Sequence, residues 1–255
     1  MSPSQIRFFS LVRREVTRFT KIKRQTLGAP LLETFLYISV FGAALGSRID
    51  ELHGIDYVVF IIPGLIMMAW AINAFTNNAS SILQQKFQRA IDDQLSSPAS
   101  PVELLLAFSL GGFLRGMIVA ILTFTAASFL VDIGVEHLLV LIPSLFLVGF
   151  FFAQLGVLVG VRAEQFDDVS FAQTFVLQPL IFLGGVFYSA SLLDEPFQTL
   201  THFNPIYYMI NLVRYGFLGY TEANVALSLG VLTLATLGLF AVNLRLFSTG
   251  YKLRA

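Results

Sequence analysis

The chain has 255 residues, of which 56% are hydrophobic and only 13% are charged, and its formal net charge is zero. Soluble domains carry about 25% charged residues, so this composition predicts a membrane protein. The balanced charge does not indicate a nucleic-acid partner. The absence of cysteine excludes disulfides, thiolate zinc sites and cysteine nucleophiles.

The first segment, residues 4–25, has the pattern of an amphipathic helix. Its apolar side chains fall on one helical face, at Phe8, Val12, Val16 and Phe19. Its basic side chains fall on another face, at Arg7, Arg14, Arg18 and Lys21. This pattern favours a helix that lies in the membrane interface, and the alternative is a helix packed on a soluble partner.

Six later segments are apolar enough to be predicted as membrane spans. They cover residues 30–46, 57–80, 101–131, 138–161, 171–188 and 223–247. At 1.5 Å per residue the third would be roughly 46 Å long, whereas the hydrocarbon core is only ~30 Å thick. We therefore expect its first turns to project from the membrane.

Residues 189–222 do not fit a seventh span. Asp194-Glu195-Pro196 and Asn204-Pro205 interrupt this stretch. Its apolar part, Ile206 to Gly219, has only 14 residues and contains Arg214. A segment this short is predicted to be re-entrant or external.

The longest polar interruption between two apolar segments is LQQKFQRAIDDQLSSPASPV, at residues 83–102. Phe87, Ile91 and Leu95 recur at a four-residue step, which predicts an amphipathic helix with one apolar face over residues 83–99. Ser100-Pro101-Val102-Glu103 has the pattern of a capping box that starts the next helix. Such a connector favours a docking surface, and the alternative is an ordinary interfacial loop helix.

The distribution of charge orients these spans. With six spans both termini share one side of the membrane, and that side holds the seven basic residues of positions 7–24 and the connector. The loops on the other side are mainly acidic. Because cytoplasmic loops carry an excess of Lys and Arg, both termini and the connector are predicted to be cytoplasmic.

The sequence carries no common catalytic motif. It has no G-x-x-x-x-G-K-[ST] loop, no H-E-x-x-H motif and no G-x-S-x-G elbow, and its three histidines lie in separate loops. The predicted spans contain no chain of carboxylates of the kind that proton-coupled transporters use. Three small-residue pairs indicate close helix packing: Gly42–Gly46, Gly112–Gly116 and Gly156–Gly160.

One late run carries a family likeness: PLIFLGGVFYSASLLDEPFQTLTHFNPIYYMINLVRYGFLG, at residues 179–219. Together with the basic first helix, the six spans and the connector, it resembles the permease subunits of type-2 ABC transporters. Residues 46–68 and 86–100 resemble a bacterial branch of that family, the YadH-like and nodulation-factor-exporter-like permeases. The likeness covers nearly the whole chain.

The resemblance implies an all-α membrane protein in which residues 1–255 form one ABC-2 type transmembrane domain. Its parts are an interfacial helix, six transmembrane helices, a cytoplasmic coupling helix and external re-entrant helices between spans five and six. It also implies an exporter in the bacterial inner membrane, made of two permease copies and two copies of a separate ATPase. The resemblance further implies that the ATPase binds ATP and Mg²⁺, and that this chain binds no cofactor, contacts membrane lipid and is not itself an enzyme.

The resemblance also assigns site residues. Contact with the ATPase falls on Gln85, Lys86, Phe87, Gln88, Arg89, Asp92 and Asp93. An external gate falls on Phe187, Tyr188, Asn204, Pro205 and Tyr208. No catalytic, metal or cofactor-binding residues are expected.

Two other functional classes stay open. A self-sufficient secondary transporter or channel would need ion sites within the membrane or inverted repeats, and neither is clear in the sequence. A membrane-embedded enzyme would need a cluster of catalytic polar groups at one depth, and none is visible.

Overall fold

A computed structural model describes residues 2–21, 28–44 and 51–253. Most of these residues are helical. The helices are α1 Pro3–Thr20, α2 Ala29–Ala44, α3 Tyr57–Phe87, α4 Ala90–Ser96, α5 Pro101–Ser128, α6 Leu138–Arg162, α7 Phe166–Phe171, α8 Gln178–Leu183, α9 Phe197–Phe203, α10 Pro205–Leu218 and α11 Val225–Thr249. A π-helical segment, Ala172–Leu177, joins α7 to α8, and a 3₁₀ turn covers Ala190–Leu192.

A small antiparallel hairpin precedes α3. Its strands are β1 Glu51–Leu52 and β2 Ile55–Asp56, with Glu51 paired to Asp56. Asp56 then caps α3, because its carboxylate accepts hydrogen bonds from the backbone N–H groups of Val58 and Val59.

Local sequence also sets the start of α5. The Ser100 hydroxyl accepts from the Glu103 N–H, and the Glu103 carboxylate accepts from the Ser100 N–H at 2.8 Å. The predicted capping box is therefore confirmed. At the other ends of helices, Gly219 and Gly250 stop α10 and α11 with positive φ angles of 70° and 67°.

The central helix of the fold is α3, which packs between α5 and α6. Glycines make this close approach possible. Gly116 of α5 and Gly149 of α6 both lie against the Trp70 side chain, and a Cβ at Gly160 would come within 2.8 Å of the Ala79 carbonyl oxygen. The packing role predicted for Gly112–Gly116 and Gly156–Gly160 is thus confirmed, whereas Gly46 of the third pair lies outside the described residues.

Buried polar side chains tie the last helix to the bundle. The Asn243 amide of α11 donates to the backbone and side-chain oxygens of Gln154, at 2.8 and 2.7 Å. The Gln154 amide donates in turn to Ser109 of α5 at 2.7 Å. These bonds fix the rotation of α11, whose remaining contacts are mostly apolar.

Four described helices are long and apolar enough to cross a membrane: α3, α5, α6 and α11. The first predicted span corresponds to the shorter α2, and residues 45–46 of that prediction lie outside the described residues, as do 22–25 of the first segment. The third predicted span ends at Ser128 rather than at residue 131.

The fifth predicted span differs more from the structure. The helical run that contains it begins at Phe166 and ends at Leu183, so residues 184–188 are not helical. Gly185 has a φ of 89°, which is incompatible with continuing the helix. The expected end at residue 188 is therefore wrong, and the last five residues turn back towards α2 and α3.

Candidate functional site

The connector between α3 and α5 is not a single helix. The helix α3 continues to Phe87, and Arg89 then adopts a left-handed conformation with a φ of 54° before α4 begins at Ala90. The expectation of one helix over residues 83–99, with Phe87 and Ile91 on the same face, is wrong. The turn at Arg89 sends Ile91 into the protein, where it is only 2% exposed, and leaves Phe87 outside at 57%.

The exposed part of the connector forms a compact patch, which we call the Phe87 patch. The Phe87 ring contacts Phe166 of α7, with ring centroids 5.5 Å apart, and Phe166 is itself half exposed. Gln88, Arg89 and Asp93 are exposed around it, and Asp92 is half-buried. An apolar pair with charged neighbours has the composition of an interface centre and its rim.

Two of the seven predicted coupling residues face inward instead. Gln85 is buried, and its amide donates to Glu15 at 3.1 Å and to Ser81 at 2.9 Å. The Lys86 ammonium donates to the backbone oxygens of Val161 and Ala163, at 2.9 and 2.7 Å. Gln85 therefore supports the connector from within, and Lys86 joins the end of α3 to the end of α6.

Glu15 of α1 organises the polar interior behind the connector. Its carboxylate is 1% exposed, accepts from Ser81 at 2.6 Å and pairs with Arg14 at 3.0 Å. Arg14 also donates to Gln94 of α4, and Gln94 donates to Gln85. Part of the basic face of α1, expected at the membrane interface, is thus turned into the protein.

A second ion pair holds the beginning of α1. The Arg7 guanidinium donates to both carboxylate oxygens of Glu103, each at 2.9 Å, and Ser4 donates to the same carboxylate. The helix α1 is therefore attached to α5 and, through Glu15, to α3. Because it touches both helices beside the Phe87 patch, α1 belongs to the same site.

The predicted gate residues lie at the opposite end of α3. The Phe187 ring stacks on Phe41 of α2 at 4.3 Å, and its carbonyl accepts from the Tyr57 hydroxyl at 3.1 Å. Asn204 caps α10 and donates to the Leu180 carbonyl at 2.6 Å.

The other three predicted gate residues are Tyr188, Tyr208 and Pro205, and each is fixed by residues close to it in the chain. The Tyr188 hydroxyl donates to the Leu183 carbonyl, the Tyr208 hydroxyl donates to the His202 carbonyl, and Pro205 occupies the first position of α10. Tyr188 and Asn204 both attach to α8, whereas Tyr208 attaches to α9. The structure thus places the five residues at one end of the bundle without joining them into one contact cluster.

Arg214 is a buried arginine close to these residues. In the sequence it stands out only because it interrupts the short apolar stretch from Ile206 to Gly219. Arg214 is 1% exposed, lies 3.9 Å from the Phe60 ring centroid and donates to the Gly185 carbonyl at 2.8 Å. This bond holds the turn that ends the helical run after α8. The arrangement gives Arg214 a structural role in this part of the chain.

Polar residues from three loops meet at the same end of the bundle as the predicted gate residues. His53 Nε2 lies 3.0 Å from the Ser189 hydroxyl, which donates to Glu222, and the Ala190 N–H donates to the same carboxylate. His53 Nε2 faces both the serine and the carboxylate, so this is not the relay of a nucleophilic triad. In the part of the chain that the structure describes, no group of three His, Asp or Glu side chains could hold a metal ion.

Comparison with known proteins decides the family. The profile described as ABC-2 type transporter matches residues 6–218, most of the chain. The chain belongs to the ABC-2 type transporter family. It is 41% identical to the inner membrane transport permease YadH of Escherichia coli K12 over 96% of both chains. It is 26% identical to nodulation protein J of Rhizobium leguminosarum bv. viciae over 93% of this chain and 92% of the relative.

The resemblance noted in the sequence is thereby confirmed, and the chain is an ABC-2 family transport subunit. Sequence patterns did not find Glu15 or Phe166 as parts of its site. One signal was present for Glu15, since it is the single acidic residue in α1, among four arginines. No such signal exists for Phe166, one of 26 phenylalanines.

Proposed function

We propose that this ABC-2 permease is the membrane-spanning subunit of an ATP-driven exporter. Two copies form the translocation path, and two copies of a separate ATPase bind ATP and Mg²⁺ and supply the energy. The name of the Escherichia coli relative, an inner membrane transport permease, supports a transport role in a bacterial inner membrane. Transport without enzymatic chemistry agrees with the lack of catalytic motifs in the sequence.

The single observation that carries this proposal is the Phe87 patch. Phe87 stands at the tip of the longest helix, more than half exposed, and its aromatic partner Phe166 is exposed as well. Paired aromatic rings surrounded by exposed polar side chains are typical of interface centres. We therefore assign the patch to the ATPase, with Gln88, Arg89, Asp92 and Asp93 at its border and Gln85 and Lys86 as internal supports.

The proposed topology has six spans: α2, α3, α5, α6, the run from α7 to α8, and α11. Both termini and the Phe87 patch lie in the cytoplasm, and α9 and α10 lie at the external end. The excess of basic residues in α1 and in the connector supports this orientation. The gate residues then close the external mouth.

Exposed apolar faces support a homodimer. On α2 and on the run from α7 to α8, large apolar side chains are exposed: Leu32, Phe35, Leu36, Val40, Phe171, Phe175 and Val176. These are the first and fifth spans, which the family resemblance places near the contact between copies. A two-fold pair is also the commonest closed oligomer, and lipid covers the apolar surface that remains.

The test is co-expression of the tagged permease with the ABC ATPase of the same organism, followed by purification and reconstitution into vesicles. We expect the two subunits to elute in equal amounts, with two permease copies per complex, and ATP hydrolysis to depend on both. Absence of an associated ATPase, together with transport that needs no ATP, would instead establish the secondary transporter or channel.

A further inference from the structure

A basic cleft opens between α1 and the connector. Its volume is about 770 Å³, much more than the ~30 Å³ of one water molecule. Gln84 of α3 and Gln88, the residue after its last turn, line one side. Four basic residues line the other side: Arg13, Arg14 and Arg18 of α1, and Lys21 directly after it.

The positive charge of this cleft is not balanced by the described residues. The one acidic residue in its lining is Glu15, whose carboxylate already accepts hydrogen bonds from Arg14, Ser81 and Gln85. Arg13 and Lys21 are exposed and make no ion pair within the described part of the chain. Two cations are therefore available to a ligand.

Arg18 lies deeper in the cleft and, unlike Arg13 and Lys21, already has partners within the protein. Its Nη2 donates to the backbone and side-chain oxygens of Asn77, both at 2.7 Å, and its Nε lies 3.6 Å from Glu15. Burial lowers the pKa of the Arg18 guanidinium in spite of the attraction of Glu15. Arg13 and Lys21 are therefore the cations of the cleft that a ligand can reach without displacing a partner among the described residues.

The ligand class follows from these groups. Guanidinium and ammonium groups with neighbouring amides are the donors that phosphate oxygens accept from in proteins. The cytoplasmic leaflet supplies such phosphates, because its anionic lipids attract basic segments next to membrane spans. A lipid headgroup reaches the cleft without crossing the apolar helices, since α1 is an amphipathic helix at their cytoplasmic end.

We propose that the cleft binds the phosphate of an anionic phospholipid headgroup from the cytoplasmic leaflet. Arg13 and Lys21 contact the phosphate, and Gln84 contacts the polar part of the headgroup. The bound lipid then attaches α1 to the membrane beside the Phe87 patch. The inference rests on the proposed function for the cytoplasmic position of the cleft.

The test measures lipid retention by the permease alone, without ATPase. The protein is reconstituted in equal parts of phosphatidylglycerol and phosphatidylcholine, released into mild detergent and analysed for bound lipid by native mass spectrometry. We expect the wild type to retain phosphatidylglycerol selectively. The Arg13→Gln/Lys21→Gln variant, which breaks no described ion pair, is expected to bind it about 30-fold more weakly.

The matched control is Arg162→Gln/Arg245→Gln, which removes two exposed charges at the same end of the bundle but outside the cleft. This control should retain phosphatidylglycerol as the wild type does. Unchanged retention in the cleft variant, or an equal loss in the control, would overturn the proposal.

Two further arms separate other ligands. If soluble glycerol 3-phosphate displaces phosphatidylglycerol completely, the cleft is a site for free phosphate compounds and the lipid assignment is wrong. If the cleft variant keeps its lipid but no longer co-purifies with the ATPase, the cleft is a protein contact and the lipid proposal also fails. Failure of the wild type to bind an ATPase would overturn the proposed function and leave the lipid result interpretable.

Discussion

Truncation of Phe87 separates a docking role from a role in folding. Phe87 is 57% exposed, and its ring packs on Phe166, so Phe87→Ala loses less than half of the 1.5–3 kcal/mol for full burial of such a side chain. We therefore expect a fall of only about 1 kcal/mol in the free energy of unfolding. An aromatic side chain at the centre of an interface contributes about 2 kcal/mol or more, so binding of the ATPase should weaken roughly 30-fold.

The assay pairs the melting temperature of the permease in detergent with the Kd for the purified ATPase. Phe203→Ala is the control, because Phe203 is 81% exposed at the other end of the bundle. It should change neither quantity appreciably. Asp93→Asn, at the rim of the patch, should weaken binding less than Phe87→Ala. Unchanged ATPase affinity in Phe87→Ala would refute the docking role of the patch, and a large fall in melting temperature would show that the ring serves the fold.

Three further outcomes are expected. Gly156→Ala should lower stability by about 1–3 kcal/mol in thermal unfolding, because the added methyl group overlaps the Phe75 carbonyl, whereas Gly230→Ala, with open space around it, should not. Glu15→Ala should cost at least about 2 kcal/mol in the same assay, because it removes the shared acceptor of the buried network. A single cysteine at Ser97 should be protected from an impermeant reagent added to intact cells, and one at Ser191 should react; the reverse pattern would invert the topology.

Short-range signals in the sequence were enough for several parts of the fold. The two hydrogen bonds of the capping box at Ser100 and Glu103 are made within four residues, so a short motif is enough to predict them. The pairs Gly112–Gly116 and Gly156–Gly160 predict close helix contacts, because a glycine has no side chain to keep a neighbouring helix away. The long apolar segments similarly define the helices α3, α5, α6 and α11.

The connector shows where such reasoning fails. A four-residue apolar step predicts one helix through Phe87 and Ile91, but tertiary contacts prevail. Ile91 joins the apolar core of α5 and α6, and the chain reaches it by placing Arg89, a non-glycine residue, at positive φ. A positive φ is unfavourable for a residue other than glycine, so the sequence around Arg89 gives no signal that predicts the turn.

Glu15 illustrates the limit for long-range polar networks. Its partners Ser81 and Gln85 are more than 60 positions away and reach it only after α1 packs beside α3. A basic amphipathic pattern predicts that such a helix lies in an interface, but it does not say which charged residues turn inward. That choice depends on the glutamine and serine side chains of another helix.

The continuity of α3 gives the molecule a mechanical property. This helix has 31 residues and spans about 46 Å from Tyr57, which holds the Phe187 carbonyl, to Phe87 at its other tip. A force applied at Phe87 therefore reaches the Phe187 turn through one rod, with no loop between them to absorb the displacement. Because Lys86 fastens the same tip to α6, a displacement of Phe87 would move the ends of both helices together.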